Sequence, residues 1–298
     1  MKKYVYEHDI NKIPFHRLCK NVVILRGLAH SHYLFETKKD FFEKHNFIFL
    51  IRQSWHHNDQ IFKDGLAEVK NNNLKLENIY FLHNTLDELE RGKKFGFNGI
   101  HCNANCFQNE ESYPIIDVNK EYKAVYTARY EKCKRHEMVP DRNDVALISL
   151  NWPPDIKNIF KHCVIKEHLS PKQVSEMINK SYYGLCLSAE EGQCRAAIEY
   201  LYCGVPIIST PSLGGRDVWY NRDNHIIVNS KKEIIDVFEN FYNFNGKKIR
   251  YDAISLAKQF RQNLFNLLEK LNEKFINSIF SFSKGNPDII VEKLNENA

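Results

Sequence analysis

Residues 185–210, Leu-Cys-Leu-Ser-Ala-Glu-Glu-Gly-Gln-Cys-Arg-Ala-Ala-Ile-Glu-Tyr-Leu-Tyr-Cys-Gly-Val-Pro-Ile-Ile-Ser-Thr, constrain this chain more than any other stretch. An apolar run leads into an acidic turn, an amphipathic segment, a Gly-Val-Pro turn and a second apolar run. That pattern predicts strand, turn, helix, turn, strand. Glu191 and Glu199 bracket the turn and the helix with seven residues between them. Taken as about two helical turns, this spacing points both carboxylates at one strand-end crevice. A carboxylate placed there accepts hydrogen bonds from two neighbouring hydroxyls, as in the α/β folds that hold riboses. The stretch points to a protein that binds a nucleotide-linked sugar.

Short apolar runs separated by amphipathic segments continue along the chain. Val22–Leu25, Phe47–Ile51 and Ile79–Leu82 form one set. Ala124–Tyr126, Val145–Leu150, Cys163–Ile165, Tyr183–Ser188 and Ile226–Val228 form a second. The alternation predicts parallel strands with crossover helices, with ligands beyond the carboxyl ends of the strands. Histidines collect after the early runs: His30 and His32, His56 and His57, His83, and His101. Asn103 to Asn119, polar and holding Pro114, reads as a linker. Ser170-Pro171 caps a helix running to about Lys180. Beyond Lys231 the pattern turns helical, and Phe260, Leu264, Leu267, Leu268, Leu271 and Phe275 share one packing face.

The length of 298 residues suits two domains, and 43% hydrophobic residues suffice for their cores. The net charge of +5 fits an anionic small molecule. The dispersed Lys and Arg positions do not form the basic, aromatic-lined groove of a nucleic-acid binder. No long apolar run predicts a spanning helix, and the first residues lack the apolar core of a signal peptide. Eight cysteines without a secretion signal read as reduced thiols, so a cytoplasmic protein is expected. Basic and aromatic residues in the first part leave room for peripheral contact with the cytoplasmic membrane face. His101, Cys102, Cys106, Cys133 and His136 include no Cys-x-x-Cys pair, and these cysteines read as small buried hydrophobes.

Arg129 and Lys134 follow the first strand of the second set, five residues apart. Two cations and a helix N-terminus aimed at one point make a diphosphate site. Gly192 lets backbone approach a ligand closely. Gln193 and Cys194, read as the first helical residues, would present N–H groups to phosphate or sugar oxygens. No metal is expected where these groups already neutralise a diphosphate.

Residues from about Lys123 to Val228 resemble the donor-binding lobe of retaining glycosyltransferases of the GT-B architecture, in the large family with a Glu-x7-Glu motif. The matching positions are Arg129, Lys134, Pro171, Glu191-Gly192, Glu199 with Gly204 and Pro206, and Gly214-Gly215. In the first part, Ile79-Tyr-Phe-Leu-His83-Asn-Thr and Asn98-Gly-Ile resemble family segments, and Gly27 is what stands for the glycine-rich loop after the first strand. The resemblance implies an α/β fold of two Rossmann-like lobes with a cleft between them and C-terminal helices crossing back to the first. Its lobes would be residues 1–118 and 119–250, with helices in 251–298.

It also implies roles. Arg129 and Lys134 would stabilise the leaving diphosphate, Glu191 would hold a donor-sugar hydroxyl, and Glu199 the ribose. His83 would stand near the donor sugar, and Lys166 to Leu169, with His168, near the base. The implied reaction is sugar transfer from a nucleoside diphosphate sugar, with a UDP-sugar as the expected co-substrate and no cofactor. The acceptor would be a saccharide or a lipid-linked molecule, as in polysaccharide biosynthesis, and anomeric configuration would be retained. A nucleotide-sugar epimerase or hydrolase of the same fold, or a non-catalytic nucleotide-sugar-binding partner protein, fits the same residues.

Overall fold

The computed structural model describes residues 16–19, 22–25, 27–28, 31, 35–36, 47–52, 55–240 and 242–274. The chain divides into two units, Met1–Phe107 with Ala257–Ala298, and Gln108–Leu256. His30, His32 and Phe275, named above, lie outside the described residues.

The sheet of the first unit runs β1 (His16–Cys19), β2 (Val22–Leu25), β3 (Ile48–Arg52), β4 (Ile79–His83) and β5 (Asn98–His101), in that order. β2 to β5 are parallel, and β1 pairs antiparallel to β2. β1 has no counterpart among the expected strands, because its four residues carry too short a pattern to stand out. β2 is buried along its whole length, and β3 over all but its last residue, as strands covered on both faces must be. Helix α1 (Asp59–Asn71) is capped by Asn58, whose side chain accepts from the Ile61 N–H at 3.1 Å. Helix α2 (Leu86–Lys94) is capped by Thr85, which accepts from the Glu88 N–H at 3.1 Å. Phe49, Phe62, Phe81 and Phe97 fill the core of this unit.

The second unit holds six parallel strands: β6 (Tyr122–Thr127), β7 (Val145–Ser149), β8 (Val164–Glu167), β9 (Ser181–Cys186), β10 (Ile207–Ser209) and β11 (His225–Ile227). Their order is β11-β10-β9-β6-β7-β8. The direction of winding reverses between β6 and β9, the doubly wound arrangement whose switch point is a ligand crevice. Helix α3 (Ile156–Ile159) is short, and α4 (Pro171–Asn179) opens with the capping box of Ser170 and Gln173. Helices α5 (Arg195–Tyr202) and α6 (Lys231–Glu239) follow β9 and β11. Helix α7 (Gly246–Lys274) begins in this unit and belongs to the first unit from Ala257 onward.

The expected linker is a packed segment. Cys102 to Phe107 are buried, and two 3-10 turns, Ala104–Phe107 and Glu110–Ser112, occupy the stretch. Its polar side chains serve buried main chain: Asn103 Nδ2 donates to the Asn84 carbonyl at 3.2 Å, and Asn84 Oδ1 accepts from the Ala104 N–H at 3.0 Å. Residues 108–118 belong to the second unit, where Asn179 ties down the Pro114 carbonyl and the Ile116 N–H at 3.0 and 2.8 Å. The apolar face of α7 is buried from Phe260 to Leu271, and Arg261 donates to the Cys106 carbonyl at 3.1 Å. Among the described residues, no helix is long and apolar enough to cross a membrane.

Candidate functional site

The site is built where the second sheet reverses. β6 ends at Thr127, whose N–H donates to the Tyr200 hydroxyl at 2.8 Å. Tyr200 reaches it by lying on Gly184 of β9, where a Cβ would stand 2.2 Å from its ring. The chain then turns through a 3-10 turn, Lys132–Lys134, and the Tyr126 hydroxyl donates to the Lys134 carbonyl. Arg135, with a left-handed φ of 50°, carries its guanidinium away to the Leu187 carbonyl and the Thr210 hydroxyl. These contacts leave the Lys134 ammonium on Glu191, the first residue of the motif after β9.

Glu191 sits in a turn held from both sides. Its N–H donates to the Leu213 carbonyl at 2.9 Å, the Leu213 N–H donates to Ala189 at 2.9 Å, and the Gly215 N–H donates to Gly192 at 2.8 Å. Gly214 supplies the positive φ of 103° that lets the second loop follow the first. Ser188 Oγ donates to Glu191 Oε1 at 2.7 Å. The Lys134 and Glu191 side chains are only 17% and 8% exposed. Burial opposes the Lys134 charge, but the Glu191 carboxylate outweighs it and the pKa is raised, so Lys134 stays cationic.

Glu199 lies within α5, buried, and two groups bond the same carboxylate oxygen. The Tyr113 hydroxyl and Arg195 Nε each donate to Oε1 at 2.9 Å. Burial raises the Glu199 pKa, with Arg195 and Tyr113 acting against it. Neither of these bonds goes to Oε2.

Several expectations change. α5 starts at Arg195, so the spacing from Glu191, in the acidic turn as expected, to Glu199 is not two helical turns. Gln193 and Cys194 precede the helix, and Cys194 is its cap residue with a left-handed φ of 41°. The physical reason is the pairing of residues 190–192 with the Leu213–Gly215 loop, which holds this segment in a non-helical path. Arg129 does not join Lys134: its side chain is 70% exposed and pairs with Glu131 at 3.4 Å. His83 is not presented at a surface. Its ring is fully buried, stacked on Phe81 at 5.5 Å and packed where α2 and β5 carry Gly92 and Gly99. Gly27 is buried with a φ of 148°, and its carbonyl accepts from Ser31 at 2.6 Å. His168 follows β8, exposed and with a φ of 54°.

Sequence reasoning missed Arg216, Arg135, Ser188 and Tyr113. Arg216 is fully buried and donates to the Cys186 and Ser188 carbonyls at 3.0 Å each and to the Thr210 carbonyl. Together with Arg135 it clamps the end of β9 and adds buried positive charge beside the Lys134–Glu191 pair. The partners of both arginines are mostly main-chain carbonyls distant in sequence, which leave no motif.

Residues 156–259 match the family model of glycosyl transferases group 1. A comparison with curated proteins finds no match. The fold is similar to sucrose-phosphate synthase (tll1590) from Thermosynechococcus elongatus, with a TM-score of 0.62 and 13% identity over 85% of this chain and 74% of that one. It is also similar to Anabaena Alr3699/HepE in complex with UDP, with a TM-score of 0.59 and 9% identity over 85% and 79% of the two chains. A glycosyltransferase from Rickettsia africae aligns with a TM-score of 0.53 and 17% identity over 84% and 82%. The two parallel-sheet lobes carry the GT-B fold of these glycosyltransferases, and within the second lobe residues 156–259 are similar to glycosyl transferases group 1.

Proposed function

We propose that the protein is a glycosyltransferase that moves a sugar from a nucleoside diphosphate sugar to a saccharide or lipid-linked acceptor, with retention of anomeric configuration. The observation that carries this reading is the Lys134–Glu191 ion pair at the switch point between β6 and β9. A cation held by a buried carboxylate at a doubly wound switch point, with Glu199 on the following helix, supports reading this crevice as a diphosphate and ribose site. UDP is the proposed nucleotide, supported by the UDP complex of the similar HepE structure.

In this reading Lys134 stabilises the charge that develops on the departing diphosphate, and Glu191 orients Lys134 and a donor-sugar hydroxyl. The half-buried Arg135 and the buried Arg216 hold the strand end in place and bias it toward an anion. The donor phosphate takes the acceptor proton as the acceptor attacks the same face that the leaving group vacates. No side-chain nucleophile is required. Neutralisation by protein cations makes the reaction independent of added metal.

A thermal-shift panel of nucleoside diphosphates and their sugar conjugates tests the reading. Ligand at a hundredfold excess over its dissociation constant stabilises by about 2.7 kcal/mol. A shift with UDP and UDP-sugars, lost in Glu199→Ala, is the expected result. No shift with any nucleotide would remove the reading.

A further inference from the structure

The first unit contains a second cluster of chemically capable side chains. His57 lies just ahead of α1, His83 ends β4, and Glu88 lies in the first turn of α2. All three are fully buried. His57 Nδ1 and His83 Nδ1 stand 3.1 Å apart, and His57 Nδ1 is 3.7 Å from Glu88 Oε2. One ligand atom from each residue lies within 4.8 Å of the others. We propose that His57, His83 and Glu88 bind a divalent cation of the zinc class that ties together α1, α2 and the end of β4.

Zinc holds imidazole nitrogen at about 2.0–2.1 Å, so two nitrogens on one tetrahedral ion are about 3.4 Å apart. The distances of 3.1 and 3.7 Å bracket that edge. The carboxylate is oriented before any ion arrives: Glu88 Oε1 accepts from the His57 N–H at 2.9 Å, and Oε2 from the Asn84 N–H at 2.8 Å. Backbone bonds of this kind fix a ligating group in place. Without a cation, one proton serves the contact between the two Nδ1 atoms. Glu88 is then also a buried carboxylate with backbone donors but no positive charge at its 3.7 Å neighbour. A divalent ion takes up both nitrogen lone pairs and supplies the charge that the carboxylate lacks.

The test uses the full chain, purified from zinc-supplemented medium, desalted, and assayed for metal by plasma mass spectrometry. About one zinc per chain is expected. A chelator should remove it and lower the melting temperature, and zinc should restore both. Cobalt added to the stripped protein should give the visible bands of a tetrahedral nitrogen–oxygen site. Glu88→Gln and His83→Gln, checked for folding by circular dichroism, should each lose the metal. Metal-free protein whose melting is indifferent to chelator and zinc would reduce the cluster to a hydrogen-bonded histidine pair and overturn the proposal. Full zinc content in folded variants, or intense thiolate-to-cobalt absorption in the unmutated chain, would place the metal elsewhere and overturn it too. The second of these needs no folded variant.

Discussion

Tyr113 and Glu199, separated by 86 positions in sequence, meet through a buried hydrogen bond of 2.9 Å from the phenol to carboxylate Oε1. The bond, with that from Arg195, ties Oε1 to the protein. A hydrogen bond to a charged group is worth about 1.5–3 kcal/mol, and 1.4 kcal/mol is a factor of ten in affinity. Tyr113→Phe should therefore weaken nucleotide binding about tenfold or more, with a smaller change in turnover. Titration calorimetry with UDP reads this directly. Equal affinity in the variant would separate Tyr113 from the site.

Glu199 itself should show a trade between binding and stability. Its folded pKa is raised above the ordinary value of 4.5 by burial. The folded state then holds the proton more tightly than the unfolded state. The associated stability is fully present below pH 4.5 and is lost as pH rises through the folded value. Glu199→Gln removes that titration while keeping the Oε1 acceptor for Tyr113. Relative to the unmutated protein, the variant should gain stability between acid and neutral pH and lose nucleotide binding. Urea unfolding at both pH values is the check. A stability difference independent of pH would show that the carboxylate carries no burial penalty.

The turns and strands of the second lobe are readable in the sequence because their signals are local. Glu191, Gly192, Glu199, Gly204 and Pro206 are close in sequence, and their types dictate turn and helix. The strands β6, β7 and β9 declare themselves as apolar runs buried on both faces. What stayed hidden depends on distant partners. Nothing near Tyr113 announces Glu199, and nothing near Arg216 announces the carbonyls of Cys186 and Ser188. The start of α5 was misplaced by the same cause, since the Leu213–Gly215 loop decides where the helix can begin. The histidines after β3 and β4 read as groups at the strand ends, where ligands sit. His57 and His83 instead turn under α1 and α2, where Phe62 and Phe81 surround them.

His136 should contribute to acid instability. It is buried among Tyr126, Tyr130 and Trp152, with ring centroids at 4.9, 4.9 and 5.7 Å. Burial, with Lys134 nearby, lowers its pKa from 6.5 to about 4. A depressed histidine gives stability that is present above its unfolded pKa and lost as pH falls toward the folded one. Unfolding free energy should thus drop between pH 6.5 and about 4. His136→Phe keeps a ring in the aromatic group and removes the titration, so its decline over this range should be shallower. It should not vanish, because burial lowers His57 and His83 in the same direction. Identical pH slopes for variant and parent would count against a buried neutral His136.

Lys134 and Arg129 offer the sharpest division of roles, because the sequence treats them as a pair and the structure does not. Lys134 is held on Glu191 in a largely buried contact, while Arg129 is 70% exposed on Glu131. Losing a preorganised group that stabilises developing charge typically costs about 3–4 kcal/mol, or roughly 100–1,000-fold in rate. Lys134→Ala should reach that range in kcat. It should also lower the melting temperature, because Glu191 is left buried without its cation. Arg129→Ala removes an exposed pair worth about 0–1 kcal/mol and should leave stability unchanged. Its turnover decides whether Arg129 swings onto the diphosphate when donor binds. A loss close to that of Lys134→Ala would show that it does, and near-normal turnover would leave Lys134 to stabilise the leaving group together with Arg135 and Arg216. Transfer assays on the two single variants and the double variant read this out, since two groups acting on one charge give less than additive losses.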